Sequence, residues 1–199
     1  MKKIGITGGV GAGKSAVLDY LSSRYGAYIC KADDLARTLE EPGHDCYNRL
    51  VEEFGNDILK DDGYIDNAKF AEKIFSDSAN LKKVNGIVHP AVRQQILDDI
   101  NELSNKGTDV YILEAALLIE CGYQDILDEI WYIYVSEENR RCRLKESRGY
   151  SDEKIDGIFS SQMTEDEFKK GCKRIIDNNG SLDETKKDID KHMQSIGVC

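Results

Sequence analysis

An eight-residue loop near the N-terminus places the strongest constraint on this sequence. Residues 8–15 read Gly-Gly-Val-Gly-Ala-Gly-Lys-Ser and match the pattern G-x-x-x-x-G-K-[ST]. A strand-like run precedes the loop at Lys3–Thr7, and a helical pattern with Val17, Leu18 and Leu21 follows it. Glycines let the backbone curl until its N–H groups point inward, and the helix start adds a positive dipole end. The segment therefore predicts a phosphate-binding loop between a strand and a helix.

The chemistry of such a loop assigns roles to its residues. Lys14 is expected to reach the β- and γ-phosphates of ATP, and the Ser15 hydroxyl is placed to ligate Mg²⁺. The remaining phosphate contacts are expected from backbone and side-chain groups of one short run. This run comprises Gly11, Ala12, Gly13, Lys14, Ser15 and Ala16.

The rest of the chain alternates short apolar runs with helical patterns. The predicted strands are Lys3–Thr7, Ala27–Cys30, Val110–Glu114, Ile130–Val135 and Arg174–Ile176. Near-continuous apolar runs of this kind suit strands buried on both faces of a parallel sheet. The alternation predicts an α/β fold, a five-stranded parallel sheet flanked by helices. Residues 44–105 show no convincing strand, which predicts a helical insertion between the second and third strands.

Composition excludes several classes of partner. The formal net charge of −10 over 199 residues disfavours a long nucleic acid, which proteins bind by neutralising phosphates. No apolar run has the length of a signal sequence core or a membrane span. The six cysteines, at positions 30, 46, 121, 142, 172 and 199, form no CxxC pair and predict free thiols. We therefore expect a single cytoplasmic unit, residues 1–199, with no nucleic acid or membrane partner.

A phosphate-binding loop alone serves kinases, GTPases and motor ATPases. GTPases read guanine with N-K-x-D, and the nearest run here, Asn105–Asp109, is one residue too long. The segment closest to their D-x-x-G motif, Asp177–Gly180, comes in the wrong order. These mismatches argue against a GTPase.

The segment Lys31-Ala32-Asp33-Asp34-Leu35-Ala36-Arg37 makes the assignment more specific. Together with the loop, it resembles the dephospho-CoA kinases, which carry G-x-T-G-G-[IV]-G-[SA]-G-K-S and then D-A-D-x-[IL]-A-R. Further matches follow in the family's order: Phe54-Gly55, Asp62–Asp66, His89–Arg93, Leu117–Glu120, Arg143-Leu144, Ser147–Ser151, Gln162 and Asn178–Gly180. The sequence departs from the family pattern at Lys31, Ala116 and Cys172-Lys173. The resemblance spans residues 4–180, most of the chain.

The resemblance implies an enzyme that transfers the γ-phosphoryl group of ATP to the ribose 3′-hydroxyl of dephospho-CoA, the last step of coenzyme A synthesis. It implies a P-loop kinase core, a helical acceptor-binding insertion at approximately 44–105 and a lid at approximately 137–165. Mg²⁺ is the expected cofactor and ATP the co-substrate. We expect a monomer or a weak homo-oligomer.

Acceptor-side roles fall on three residues. Asp33 is the candidate catalytic base, because a kinase must orient a hydroxyl and accept its proton; Asp33 also has the chemistry to cap the following helix. Arg37 contacts the acceptor, pairs with Asp33 or has only a surface role. His89 precedes Pro90 at a predicted helix start, where a structural role competes with acceptor binding.

The phosphate-side cations are expected from residues 140–148, five of which are basic. A solvated helix face is the ordinary meaning of such a run. Phosphoryl transfer also needs cations over the phosphate oxygens, and Arg143 and Arg148 match the family's lid arginines better than Arg140 or Arg141. Arg143 is therefore predicted to be catalytic and Arg148 to bind ATP.

Two further positions keep open alternatives. Glu114 either holds a water on Mg²⁺ or begins the next helix. Asn178 either contacts the ATP adenine, as in related kinases, or forms a plain turn. Two other functions also remain open at this point: a kinase of another small acceptor, such as a nucleoside, and a nucleotide-binding module that switches without turnover.

Overall fold

The computed structural model describes residues 1–198. The strands are β1 (Lys2–Thr7), β2 (Tyr28–Lys31), β3 (Val110–Glu114), β4 (Glu129–Tyr134) and β5 (Arg174–Asp177). The α-helices in this part of the chain are α1 (Lys14–Tyr25), α2 (Ala32–Leu39), α3 (Asp45–Phe54), α4 (Asn67–Phe75), α5 (Ser78–Asn105), α6 (Glu137–Arg148), α7 (Asp152–Ser160), α8 (Glu165–Gly171) and α9 (Leu182–Ser195). Short 3₁₀ turns lie at Asn56–Ile58 and Tyr123–Asp125.

The strands form one sheet with the order β2-β3-β1-β4-β5. β1 pairs in parallel with β3, where Ile4 lies opposite Ile112, and with β4, where Ile6 lies opposite Trp131. β4 in turn pairs in parallel with β5. The predicted α/β fold with a five-stranded parallel sheet is confirmed, and each predicted strand is found within one residue of its expected ends.

The core of the sheet is apolar because helices cover it. Ile6, Ile112 and Trp131 are fully buried and belong to one cluster with Leu21 of α1 and Met193 of α9. Burial of a large apolar side chain contributes about 1.5–3 kcal/mol. This cluster therefore fixes α1, and with it the end of the loop that precedes α1, against the sheet.

The chain divides into two compact units. One unit comprises Met1–Cys30 together with the chain from Leu103 onward, and the other comprises Lys31–Glu102. The second unit contains α2, α3, α4 and most of α5, and its interior includes Phe54 and Phe70, whose rings meet edge to face at 5.7 Å. It begins at Lys31, earlier than the boundary near 44 that the sequence predicts.

The predicted helix start at His89-Pro90 is wrong. α5 runs without interruption from Ser78 to Asn105 and contains Pro90 in its interior. A proline removes one backbone hydrogen bond there, but the apolar stripe continues across it through Val88 and Val92, both buried. Although α5 has 28 residues, no helix among residues 1–198 is both long and apolar enough to cross a membrane.

A buried carboxylate ties β4 to β5. Glu129 accepts hydrogen bonds from Arg174 Nε at 2.5 Å and Trp131 Nε1 at 3.0 Å, and Lys173 lies 2.8 Å away. Arg174 also donates to Nδ1 of His192 on α9 at 3.0 Å, since a guanidinium cannot accept. Burial by itself raises the pKa of Glu129, but the bonds from Arg174, Lys173 and Trp131 outweigh it and hold that pKa at about 2.

We expect acid to weaken this tie. The pKa of Glu129 is lower in the folded chain than in the unfolded chain, so its contribution to stability is complete above about pH 4.5 and is lost as pH falls towards 2. In urea denaturation, Glu129→Gln should lower the free energy of unfolding at pH 6. The difference from the unsubstituted protein should narrow by about 2 kcal/mol between pH 6 and pH 3. A difference in unfolding free energy that stays constant between pH 6 and pH 3 would contradict a charged Glu129 with a lowered pKa.

Candidate active site

Side chains hold three carbonyl oxygens of the loop at residues 8–15. Lys14 Nζ donates to the Gly8 carbonyl at 2.8 Å, and Arg140 Nε donates to the Val10 carbonyl at 2.9 Å. Asn178 Nδ2 donates to the Ala12 carbonyl at 2.8 Å. Each bond anchors the loop from its carbonyl side, which is the arrangement that a loop using its N–H groups for anions requires.

Two glycines of the loop are needed for space, and one of them also for its conformation. Gly13 has φ 81°, and a Cβ there would lie 2.6 Å from Asn178 Nδ2 and 3.4 Å from Arg143 Nη1. A Cβ on Gly9 would overlap the guanidinium of Arg140. Any larger residue at these two positions would push away a side chain that supports the loop.

Lys14 is held beside a carboxylate. Its Nζ lies 3.5 Å from Oε1 of Glu114, and both side chains are more than four-fifths buried. Glu114 is the last residue of β3 and does not begin a helix, so that alternative is excluded. The partial burial makes this ion pair stronger than a surface pair and orients the lysine within the loop.

Arg140 is fixed from three directions at the loop. Besides Val10, it donates from Nη2 to Oε1 of Gln162 at 2.5 Å, and its Cζ lies 4.2 Å above the ring centroid of Phe159. The same Gln162 oxygen accepts from the backbone N–H of Val10 at 3.3 Å. Gln162 therefore joins the loop to the arginine through one atom.

Asn178 supports the loop through both ends of its amide. Its Oδ1 accepts from the Thr185 hydroxyl at 2.8 Å, while its Nδ2 is bonded to Ala12, and the residue is 6% exposed. Arg143 Nη2 donates to the Asn178 backbone carbonyl at 2.7 Å. These bonds give Asn178 a supporting role at the loop, and its predicted adenine contact stays a prediction.

The other basic residues of α6 have different surroundings. Arg141 bonds to Asp152 and Asp156 at 3.0 and 2.5 Å, which ties α6 to α7. Arg148, at the last position of α6, is exposed and lies 5.9 Å from the Tyr150 ring centroid. Its predicted ATP contact stays a prediction.

The three predicted acceptor residues lie in the helical unit. Asp33 is exposed in the first turn of α2, whose N-cap is Lys31, and no side-chain cap is made, so the capping alternative for Asp33 is not realised. Arg37 pairs with Asp34 at 3.3 Å, rather than with Asp33, in a solvent-exposed contact worth little energy. His89 is exposed on α5.

The described residues offer no preformed metal cage, and the Cys172 thiol is not activated. Within residues 1–198, no group of three or more His, Cys, Asp or Glu side chains has a metal-binding arrangement. Burial raises the pKa of the Cys172 thiol to about 12, which keeps it protonated and unreactive.

Comparison with known proteins decides which P-loop protein this is. The family model described as dephospho-CoA kinase matches residues 2–184. The chain belongs to the dephospho-CoA kinase family. It is 38% identical to the dephospho-CoA kinase of Carboxydothermus hydrogenoformans over 186 residues, which is 94% of this chain and 90% of that relative.

Other dephospho-CoA kinases agree with this match. The chain is 36% identical to the one from Corynebacterium glutamicum over 196 residues, 98% of each chain. A dephospho-CoA kinase structure from Campylobacter jejuni has a TM-score of 0.72 at 23% identity, covers 98% of both chains and supports the fold. The predicted family, the kinase activity and ATP as co-substrate are confirmed.

Within this dephospho-CoA kinase fold, the structure brings together some of the predicted residues and adds others. Lys14, Arg143 and Asn178 meet at the loop as a group. Sequence reasoning ranked Arg140 below Arg143 and gave Thr185 no role. The helical period of α6 could have predicted this contact of Arg140. Arg140 lies one turn before the buried Leu144 and therefore on the inward face of α6.

We expect Asn178→Ala to weaken ATP binding. The substitution leaves the Ala12 carbonyl without the Asn178 donor and leaves the Thr185 hydroxyl only its longer contacts to the Asp177 and Ser181 carbonyls. A lost hydrogen bond of about 1.4 kcal/mol corresponds to about tenfold in affinity. Calorimetric titration with ATP measures this change. Asn101→Ala, the same replacement at an exposed position of α5, is the matched control and should leave ATP affinity unchanged.

Proposed function

We propose that this member of the dephospho-CoA kinase family transfers the γ-phosphoryl group of ATP to the ribose 3′-hydroxyl of dephospho-CoA with the residues assigned below. The observation that carries the proposal is the placement of Lys14, Arg140 and Arg143 around one phosphate-binding loop. Phosphoryl transfer is accelerated by positioning and by cations at the transferring group, and this cluster supplies both.

Each phosphate-side residue has a defined task in this proposal. The backbone N–H groups of Gly11, Gly13, Lys14, Ser15 and Ala16 line the turn into α1 and bind phosphate oxygens, and Ala12 lies among them with its own N–H bonded to the Gly9 carbonyl at 3.1 Å. Lys14 supplies the cation for the β- and γ-phosphates. Arg143 and Arg140 then stabilise the charge that the γ-phosphoryl group spreads in the transition state.

We assign the acceptor side to the helical unit. Asp33 orients the ribose hydroxyl and accepts its proton, Arg37 and His89 bind the acceptor, and the insertion at approximately 44–105 carries the acceptor site. Asp33 and Arg37 are about one turn apart on an exposed surface of α2, where a ligand has access to both. The lid at approximately 137–165, which includes Arg148, excludes water during transfer.

Mg²⁺ fits the donors at the loop. Protein sites for Mg²⁺ in kinases supply one or two oxygen ligands and leave the rest to phosphates and water. Ser15 offers a hydroxyl at the position directly after Lys14, and Glu114 offers a carboxylate 3.5 Å from Lys14 Nζ. In this proposal Ser15 would ligate the ion and Glu114 would hold one of its waters, and the bound ion would supply positive charge at the phosphates.

We also propose a cytoplasmic location and a monomer or weak homo-oligomer. The cysteines described by the structure are free thiols, at positions 30, 46, 121, 142 and 172, which suits a reducing compartment.

The test of the function is an assay of ADP release with ATP, Mg²⁺ and a panel of acceptors. Dephospho-CoA should be phosphorylated with the highest kcat/KM, and a nucleoside or a nucleotide should be poor acceptors. The site of phosphorylation on the product can be read by ³¹P NMR. Turnover with a nucleoside but not with dephospho-CoA would refute the proposal.

Asp33→Asn should separate catalysis from ATP binding. The amide keeps the shape of the side chain but cannot accept the hydroxyl proton, so we expect kcat to fall about 10²-fold or more. ATP affinity, measured by calorimetry, should stay near that of the unsubstituted protein. Asp19→Asn, the same replacement at an exposed position of α1, is the matched control, because Asp19 has no role in the proposed site. Equal effects of the two substitutions would remove Asp33 from the catalytic role.

Lys14→Ala should impair both ATP binding and phosphoryl transfer. The variant loses the cation for the β- and γ-phosphates and leaves Glu114 without its partner, so ATP affinity and kcat should both fall. A loss of about tenfold in affinity and of more than 10²-fold in kcat is expected. Unchanged affinity with unchanged kcat would contradict the assignment.

A further inference from the structure

Gln162 holds a position at the loop that the proposed chemistry leaves without a task. It follows α7, and its backbone N–H bonds to the Phe159 carbonyl at 3.3 Å, which fixes it to the last turn of that helix. Its side-chain oxygen accepts from the Val10 N–H at 3.3 Å and from Arg140 Nη2 at 2.5 Å. One acceptor thus joins a backbone group of the phosphate loop to a lid arginine.

The surroundings of Arg140 show what this bond does. An arginine side chain has several rotatable bonds and about 2 kcal/mol of rotamer entropy to lose. Here the guanidinium is bonded at Nε to Val10, bonded at Nη2 to Gln162, and covered by the Phe159 ring at 4.2 Å. Two of these three contacts come from the end of α7, so α7 determines where the cation lies on the loop.

We propose that Gln162 is a positioning residue for phosphoryl transfer, which presents the Arg140 guanidinium to the transferring group in one fixed arrangement. The proposal rests on the function proposed above and names a further residue for it. Gln162 acts through Arg140: a guanidinium that is oriented before ATP binds loses less freedom when charge develops in the transition state.

This role predicts a specific kinetic signature. Gln162→Leu keeps the size of the side chain and removes the acceptor, so kcat should fall about tenfold while the KM for ATP changes by less than about threefold. Arg140→Met should lower kcat by about 10²-fold or more. In the Arg140→Met background, Gln162→Leu should lower kcat by no more than about twofold, because the residue through which it acts is gone.

A readout independent of activity accompanies the kinetics. The ¹⁵Nε–H order parameter of Arg140, measured by NMR relaxation, should fall below about 0.6 in Gln162→Leu, the range of mobile groups. Gln194→Leu, the same change at an exposed position of α9, is the matched control and should alter neither kcat nor this order parameter. If Gln162→Leu does not fold, Gln162→Asn, which is one methylene too short for both bonds, replaces it in every measurement.

A fall in kcat that disappears in the Arg140→Met background, together with a more mobile Arg140, supports the proposal. An unchanged kcat, multiplicative losses in the double variant, or an equally ordered Arg140 overturns it. The kinetics use whichever acceptor the unsubstituted protein phosphorylates, or ATP hydrolysis if there is none. A failure of dephospho-CoA as acceptor therefore counts against the proposed function alone.

Discussion

The carbonyl oxygens of the phosphate loop need hydrogen-bond donors, and much of the first compact unit is arranged to supply them. Lys14 reaches the Gly8 carbonyl, Arg140 the Val10 carbonyl and Asn178 the Ala12 carbonyl. Two of these donors lie more than 120 positions away in the sequence. When the N–H groups of the loop bind phosphates, its carbonyl oxygens need hydrogen-bond donors from other parts of the chain. A buried polar group without a hydrogen-bond partner costs about 1–3 kcal/mol. The loop is therefore complete only when the C-terminal third of the chain has folded against it.

The same constraint explains why the α6 arginines are more than a charged surface. A Cβ on Gly11 would lie 3.1 Å from Leu144, so α6 packs directly on the loop with Leu144 as the contact. Arg140 and Arg143 precede Leu144 by one turn and by one residue, and both reach the loop or its support. Arg141, on another side of α6, bonds instead to the acidic residues of α7. The face of α6 on which each arginine lies therefore decides whether its side chain reaches the phosphate loop or bonds to α7.

The fold was predictable because its signals are local. An apolar run of five or six residues that is buried on both faces has the same sequence pattern whichever strand it pairs with. The ends of β3, Val110 and Glu114, therefore lie where the sequence predicts them. Pro90 was misleading for the opposite reason: its local preference against a helix interior is outweighed by burial of the apolar residues on either side. For the site, the pattern predicted Lys14 and Arg143, while Arg140, Gln162 and Thr185 depend on contacts between distant segments.

By itself, the sequence determined the phosphate loop, the order of strands along the chain and the membership of the dephospho-CoA kinase family. Each is a property of residue type and spacing, which survives without coordinates. Only the tertiary structure decided which arginine lies on the loop, that Asn178 holds the loop through its side chain, and that Gln162 connects Val10 to Arg140. These are hydrogen bonds between residues 22 to 166 positions apart, and their geometry exists only after β4, α6, α7 and β5 have packed around the loop.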